Sequence, residues 1–374
     1  MTLVTPSAPH HFAASGHSSA SAPAKLILCG EHAVVYGRPA IALPLAGIRA
    51  HADIVDGRAG SGIAVYARDL NRRWRVADDP HGPLSDLIRS TLAILEPQVA
   101  HVSNRPLIQS LALRITITSQ IPIASGMGSG AAVATAVVRA LARHLGAQLS
   151  PAEISALVYT SEQRFHGTPS GIDNTVIAYE QPIWFQRTND EGGATNDESA
   201  NSSSVPRPSS GTPPSRVSHR PAIQPIVIAA PFTLLIGDTG IRSATRLSVG
   251  EVRARQQADP ARYRALFDQV GALVARVRAA LAQGDMAALG PLLNQNHALL
   301  QQIGVSSPEL DALVGAAQSA GALGAKLSGA GWGGVMLALV TTDTCHQVRA
   351  ALEQAGPKRV IETAVNQSLP EPAT

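Results

Sequence analysis

The hydrophobic positions of this chain change period repeatedly, and each change marks the edge of an element. Lys25 to Cys29 and Ala40 to Leu43 read as short strands on either side of a polar Gly30-Glu31-His32 turn. Ser85 to Leu95 repeats its apolar residues at helical spacing. A β-branched run, Ile115 to Ile117 with Ile121, leads through the loop PIASGMGSGAA, Pro122 to Ala132, into a helical pattern from Ala131 to Leu145. Pro151 at a first helical position with Glu153 behind it predicts a further helix to about Phe165, and Pro182 to Gln186 reads as a strand. From Arg187 to about Pro221 hydrophobics nearly vanish among Ser, Asn, Pro, Gly and Thr, which predicts a disordered insertion. After it the pattern predicts strands at Ile226 to Ala229 and Thr233 to Gly237. Helices follow at Val249 to Gln283 (interrupted at Pro260), Met286 to Ile303 and Pro308 to Ala320, then strands at Ala325 to Leu327 and Gly334 to Val340. Strands and helices interleave without a regular βαβ repeat, so the expected class is α+β.

Length turns this into two domains, since 374 residues exceed the roughly 250–300 at which a single core stops growing. The expected division is a disordered tail over 1–20, an N-terminal domain over 21–186, the insertion over 187–221 and a C-terminal domain over 222–374. Hydrophobic residues at 45% and charged residues at 15% are a globular balance. The net charge of +3 is mild, and the three lysines (Lys25, Lys326, Lys358) lie far apart, so no nucleic-acid face is expected. Cys29 and Cys345 lack metal-ligand spacing and cannot build a disulfide framework; two buried free thiols suit a reducing cytoplasm. The longest apolar runs fall short of a membrane span, and the N-terminus lacks the basic start and apolar core of a signal peptide.

Candidate chemistry begins in the glycine loop. Gly126, Gly128 and Gly130 let the backbone approach an anion closely, and the following helix would aim unpaired N–H groups and its positive dipole end at it. No lysine directly follows a glycine, which excludes a P-loop, and no G-x-S-x-G nucleophile elbow occurs. A phosphate site of another kind still needs a metal ligand, a group to position or deprotonate the acceptor, and a cation. Glu162, late on its helix, is a candidate carboxylate for Mg²⁺. Asp173 sits in HGTPSGIDN, where Pro169 and Gly171 predict a turn, and Lys25 follows Pro23-Ala24 at a predicted strand start.

Four ordered segments, PAKLILCGEHAVVYG, PIASGMGSGAA, EQRFHGTPSGIDN and KLSGAGWGGVM, resemble the GHMP small-molecule kinases over roughly Ala22 to Ala351, the insertion apart. The resemblance implies an N-terminal nucleotide-binding domain of ribosomal-protein-like α+β fold and a ferredoxin-like C-terminal domain, with the active site in the cleft between them. It implies ATP and Mg²⁺ as cofactors and a small-molecule alcohol as acceptor. By that resemblance Lys25 and Asp173 are the catalytic pair, Asp173 as base. Pro122, Ser125, Gly126, Met127, Gly128, Ser129, Gly130 and Ala131, with Gly329, Ala330 and Gly331, hold the nucleotide. Glu162 and Ser129 are the metal candidates; Glu31, His32 and Thr245 line the substrate, with Arg242 and Arg246 as further groups for an acidic acceptor. Ser103, Asn104 and Ser119 are candidates for the adenosine side. Two positions depart from the family: Gly130 stands where a metal-binding serine is common, and Trp332 where glycine is usual, which stiffens the third loop or puts a ring at its rim. Phosphomevalonate, homoserine and sugar kinases, and a catalytically silent ligand sensor of the same fold, are the alternatives. A homodimer is compatible with the resemblance.

Overall fold

The computed structural model describes residues 16–99, 106–166, 169–187, 222–242 and 245–366. In chain order the strands are β1 (His17–Cys29), β2 (Ala40–Asp56), β3 (Ile63–Ala67), β4 (Arg72–Arg75), β5 (Leu113–Ser119), β6 (Ile183–Gln186), β7 (Ala222–Pro225), β8 (Phe232–Asp238), β9 (Gly324–Ser328), β10 (Val335–Val340) and β11 (Arg359–Val365). The helices are α1 (Pro83–Leu95), α2 (Leu107–Ser110), α3 (Ser129–His144), α4 (Pro151–His166), α5 (Ile172–Tyr179), α6 (Thr245–Ala258), α7 (Pro260–Gln283), α8 (Met286–Ile303), α9 (Pro308–Ser319) and α10 (Thr342–Gln354).

Among the described residues these form two layered halves. The first is a seven-stranded sheet ordered β4-β3-β5-β2-β6-β7, with β1 pairing antiparallel to β2. Helix α3 packs on β1 and β2, flanked by α1, α4 and α5. Its alanine-rich inner face, with Ala131, Ala132, Ala136 and Ala140 buried, lets it approach the sheet closely. The second half is a four-stranded antiparallel sheet ordered β11-β8-β10-β9, the 4-1-3-2 order of a ferredoxin-like domain. Strand β10, VMLALV, is buried at every position, which is why its sequence is a continuous apolar run without alternation.

Several expectations need correction. Strand β1 begins at His17, four residues inside the expected tail, because Ser18, Ala20 and Ala22 alternate inward and pair along Ile54 to Ala50. Such small residues give little apolar signal. Strand β2 runs on to Asp56; Ile48, Ala50, Ala52 and Ile54 face the core in clean alternation, but Pro44 and Gly47 mask it in the sequence. The strand expected at Ile226 to Ala229 forms instead at Ala222–Pro225 and pairs with β6, so the first half reaches past residue 222. The turn expected at Asp173 is the start of α5, and α10 and β11 carried no reading in the sequence. Cys29 is buried but Cys345 only partly so; both are free. The insertion 188–221, and the tail over 1–15, lie outside the described residues.

Candidate active site

Lys25 lies well inside β1, just after the point where β2 carries three extra residues: Pro23 pairs with Arg49 but Ala24 with Leu45. This bulge breaks the ladder beside the lysine and frees its backbone N–H, which donates to Met127 O at 3.0 Å in the glycine loop. Its side chain is almost fully buried and its Nζ lies 2.8 Å from Asp173 Oδ1. Asp173 is in the first turn of α5, where the helix dipole favours a carboxylate. Glu162 near the end of α4 completes the cluster: burial first, and the Asp173 carboxylate second, push its carboxyl up to about 8, while Lys25 opposes them.

The glycine loop closes over this pair. Gly128, at φ 73°, is the N-cap of α3, and a Cβ there would come within 2.8 Å of Ile177 Cδ1 and 2.9 Å of Lys25 Cγ. Only glycine lets the helix mouth sit on the lysine stem. Helix α3 therefore begins at Ser129, two residues earlier than the pattern suggested, and the first-turn N–H groups of Ser129, Gly130 and Ala131 have no partner within the helix. Met127 and Ala131 anchor the loop in the core, and Ser125 donates from Oγ to Pro122 O at 2.9 Å. Gly130 is exposed, and an added Cβ would meet nothing within 4 Å.

The second half supplies the opposite wall. A Cβ on Gly329 would lie 3.8 Å from Gly126, so the two glycine loops face each other across the cleft. Gly331, at φ 77°, has room for no side chain, since a Cβ would fall 1.9 Å from Val305 O. Trp332 holds φ 56°, donates its backbone N–H to Val305 O at 2.9 Å and its ring N–H to Gly304 O at 3.0 Å. The ring is thus tied to the C-cap of α8. Beside the loops opens a cavity of about 480 Å³, with apolar walls from Trp74, Leu84, Ile121 and Val133 and cations from Arg242 and Lys358. Pro122, Ser125, Ser129 and Ser119 also line it.

Two of the substrate candidates, Glu31 and His32, face inward. Glu31 is 1% exposed, and its carboxylate is bound to Lys326 Nζ rather than open to a ligand. His32 is buried; its Nε2 meets Ala330 O at 3.1 Å, and burial pushes its pKa down to about 4, so it is a neutral donor to the third loop and not a cation for an acidic acceptor. Thr245 is exposed at the start of α6. Arg246 is likewise exposed, and Ser103 and Asn104 lie outside the described residues.

The GHMP kinases N terminal domain model matches residues 88–181, and the GHMP kinases C terminal model residues 277–358. A mevalonate kinase of Pyrococcus horikoshii is 31% identical over 351 residues, covering 90% of this chain and 92% of that protein. One of Thermococcus onnurineus is 32% identical over 367 residues, covering 94% and 97%. This chain belongs to the mevalonate kinases of the GHMP family. The crystal structure of L. major mevalonate kinase in complex with R-mevalonate aligns with a TM-score of 0.70 at 26% identity, covering 95% of this chain and 97% of that one. Methanococcus jannaschii mevalonate kinase, at a TM-score of 0.72 and 22% identity over 94% and 99%, shares the fold. Membership makes the chain an ATP-using kinase that acts on a hydroxyl group. Among the GHMP kinases it is GEHAVVYG and HGTPSGIDN that resemble the mevalonate kinases. Yet two residues of the first string, Glu31 and His32, face inward here. The Glu31 partner, Lys326, was missed as a functional residue; its one signal in the sequence is a lysine inside the apolar strand GAKLS.

Proposed function

We propose that this mevalonate kinase family member transfers the γ-phosphoryl group of ATP to the C5 hydroxyl of (R)-mevalonate, giving 5-phosphomevalonate and ADP, in the cleft between its two halves. The observation that carries the reading is the 2.8 Å Lys25–Asp173 pair under the mouth of α3, at the meeting point of the first three of the four sequence segments. The hydroxyl oxygen attacks the γ-phosphorus in line, the bond to the bridging oxygen breaks, and Asp173 orients the hydroxyl and accepts its proton. Lys25 offsets charge on the equatorial oxygens, together with the first-turn amides of α3. Pro122 to Ala131 and Gly329 to Gly331 would embrace the phosphates. The adjoining cavity has the size of ligand pockets, roughly 300–1,000 Å³, and would take the adenosine part.

The residues fit Mg²⁺. A carboxyl raised by burial and by a second carboxylate is relieved by a hard cation, so Glu162 would hold the ion, with the Ser129 hydroxyl as second donor. Mg²⁺ usually keeps several waters and takes substrate phosphates beside one or two carboxylates, so two protein donors suffice. When bound it supplies charge neutralisation at the phosphates. Among the described residues no helix is long and apolar enough to cross a membrane. The reading is tested by coupled ADP release with mevalonate, phosphomevalonate, homoserine and galactose. Turnover with mevalonate alone is expected; turnover with another alcohol, or nucleotide binding without turnover on any, overturns it.

A further inference from the structure

We infer that Glu31 and Lys326 are positioning residues for phosphoryl transfer, their buried ion pair setting the Gly329–Gly331 loop against the strand that carries Lys25. The inference rests on the kinase reading above. The pair joins the two halves across 295 positions of sequence, with Lys326 at 0% and Glu31 at 1% exposure. Glu31 stands six residues after Lys25, and Lys326 three before Gly329. Lys326 Nζ also donates to Leu327 O, while Glu31 Oε2 has no partner among the described residues, so each charge is balanced by the other.

The neighbouring contacts share this seam. Ile27 N–H donates to Ser328 Oγ at 3.2 Å, Ser328 Oγ–H returns to Ile27 O at 2.9 Å, and His32 meets Ala330 O at 3.1 Å. Stability alone does not account for a wholly buried pair, because apolar side chains of similar volume serve a core as well or better. What a lone charge pair adds is register. A slip of the second half along β1 would separate the charges in a medium with no water to receive them. Register matters here because the two glycine loops face each other so closely that a Cβ on Gly329 would lie 3.8 Å from Gly126, and an error of about 1 Å in such a site can cost roughly 100-fold in rate.

The test compares Glu31→Gln, Lys326→Met and the double variant, by steady-state kinetics with mevalonate and ATP, thermal unfolding, and amide exchange in the third loop. Trp332 N–H and Gly334 N–H, bonded to Val305 O and Ile241 O, report on that loop. The single variants lose stability, Lys326→Met more because it strands a carboxylate. The double variant recovers most of the melting temperature, yet keeps kcat roughly 10- to 100-fold down with KM for both substrates within about threefold, and its loop amides exchange faster than those of α8. Wild-type kcat in the double variant, or kcat and melting temperature recovering together, overturns the inference. Should Lys326→Met fail to fold, the isosteric Glu31→Gln and the double variant decide by the same readouts. If the wild-type enzyme phosphorylates none of the alcohols, the functional reading fails separately. The amide exchange then still judges the pair, and unchanged exchange at Trp332 and Gly334 overturns it.

Discussion

Asp173 and Glu162 are two carboxylates held beside one ammonium, and their settings part their tasks. Asp173 is directly paired with Lys25 and placed at a helix start, whereas Glu162 is buried deeply enough to hold a proton near neutral pH without a cation. Asp173→Asn is expected to lower kcat by roughly 10²–10⁴-fold while leaving the affinity for a non-hydrolysable ATP analogue nearly unchanged, measured by titration calorimetry. Glu162 carries a stability signature. Its folded value, about 8, lies above its ordinary 4.5, so between those limits the folded state holds more protons than the unfolded one and stability falls as pH rises. Without metal and nucleotide, Glu162→Gln is expected to melt higher than wild type at pH 8 and level with it near pH 4.5. With Mg²⁺ and ATP it should need more metal for half-maximal rate. Lys25, Glu162 and Asp173, which the structure brings together, could be singled out in the sequence because each sits in its own local string. Glu31 and His32 were misread because their burial depends on Lys326 and Ala330, some 300 positions away, which no local pattern encodes.

Among the elements, the loops that meet at the cleft tolerate change very unevenly. Gly331→Ala drives a Cβ to 1.9 Å from a backbone oxygen at φ 77°, and a loss of roughly 2–4 kcal/mol in chemical denaturation is expected. Gly130→Ala places its methyl in open space in the first turn of α3, and a gain of about 0.4–1 kcal/mol is expected by the same measurement. The long helices were read closely from their period, with Met286 to Ile303 found at both ends despite Pro291 inside it. The strands were harder. In β1 and β2 inward positions are filled by Ala and Ser, and Pro44 and Gly47 interrupt the run, so alternation showed only where bulkier residues returned.

At the scale of the molecule, two halves were expected from length and pattern with the second starting at 222, whereas β7 over 222–225 still pairs into the first sheet. Gln186 and Ala222 are direct partners in the β6–β7 pair, so the segment between them begins and ends at one sheet edge. Joining the ends costs little chain entropy, and a short loop can replace a long one there. Deleting 190–218 is therefore expected to leave kcat within about twofold and the melting temperature within a few degrees, checked on the purified variant. A large loss of either would mean that the segment holds part of the site.

The Lys25–Asp173 pair does not straddle the cleft. Lys25 on β1 and Asp173 on α5 both belong to the first half, while the second half brings the Gly329–Gly331 loop and, in the adjoining cavity, Arg242 and Lys358. If the cleft widens to let products escape, the ammonium and the carboxylate travel together, and their contact outlasts the opening.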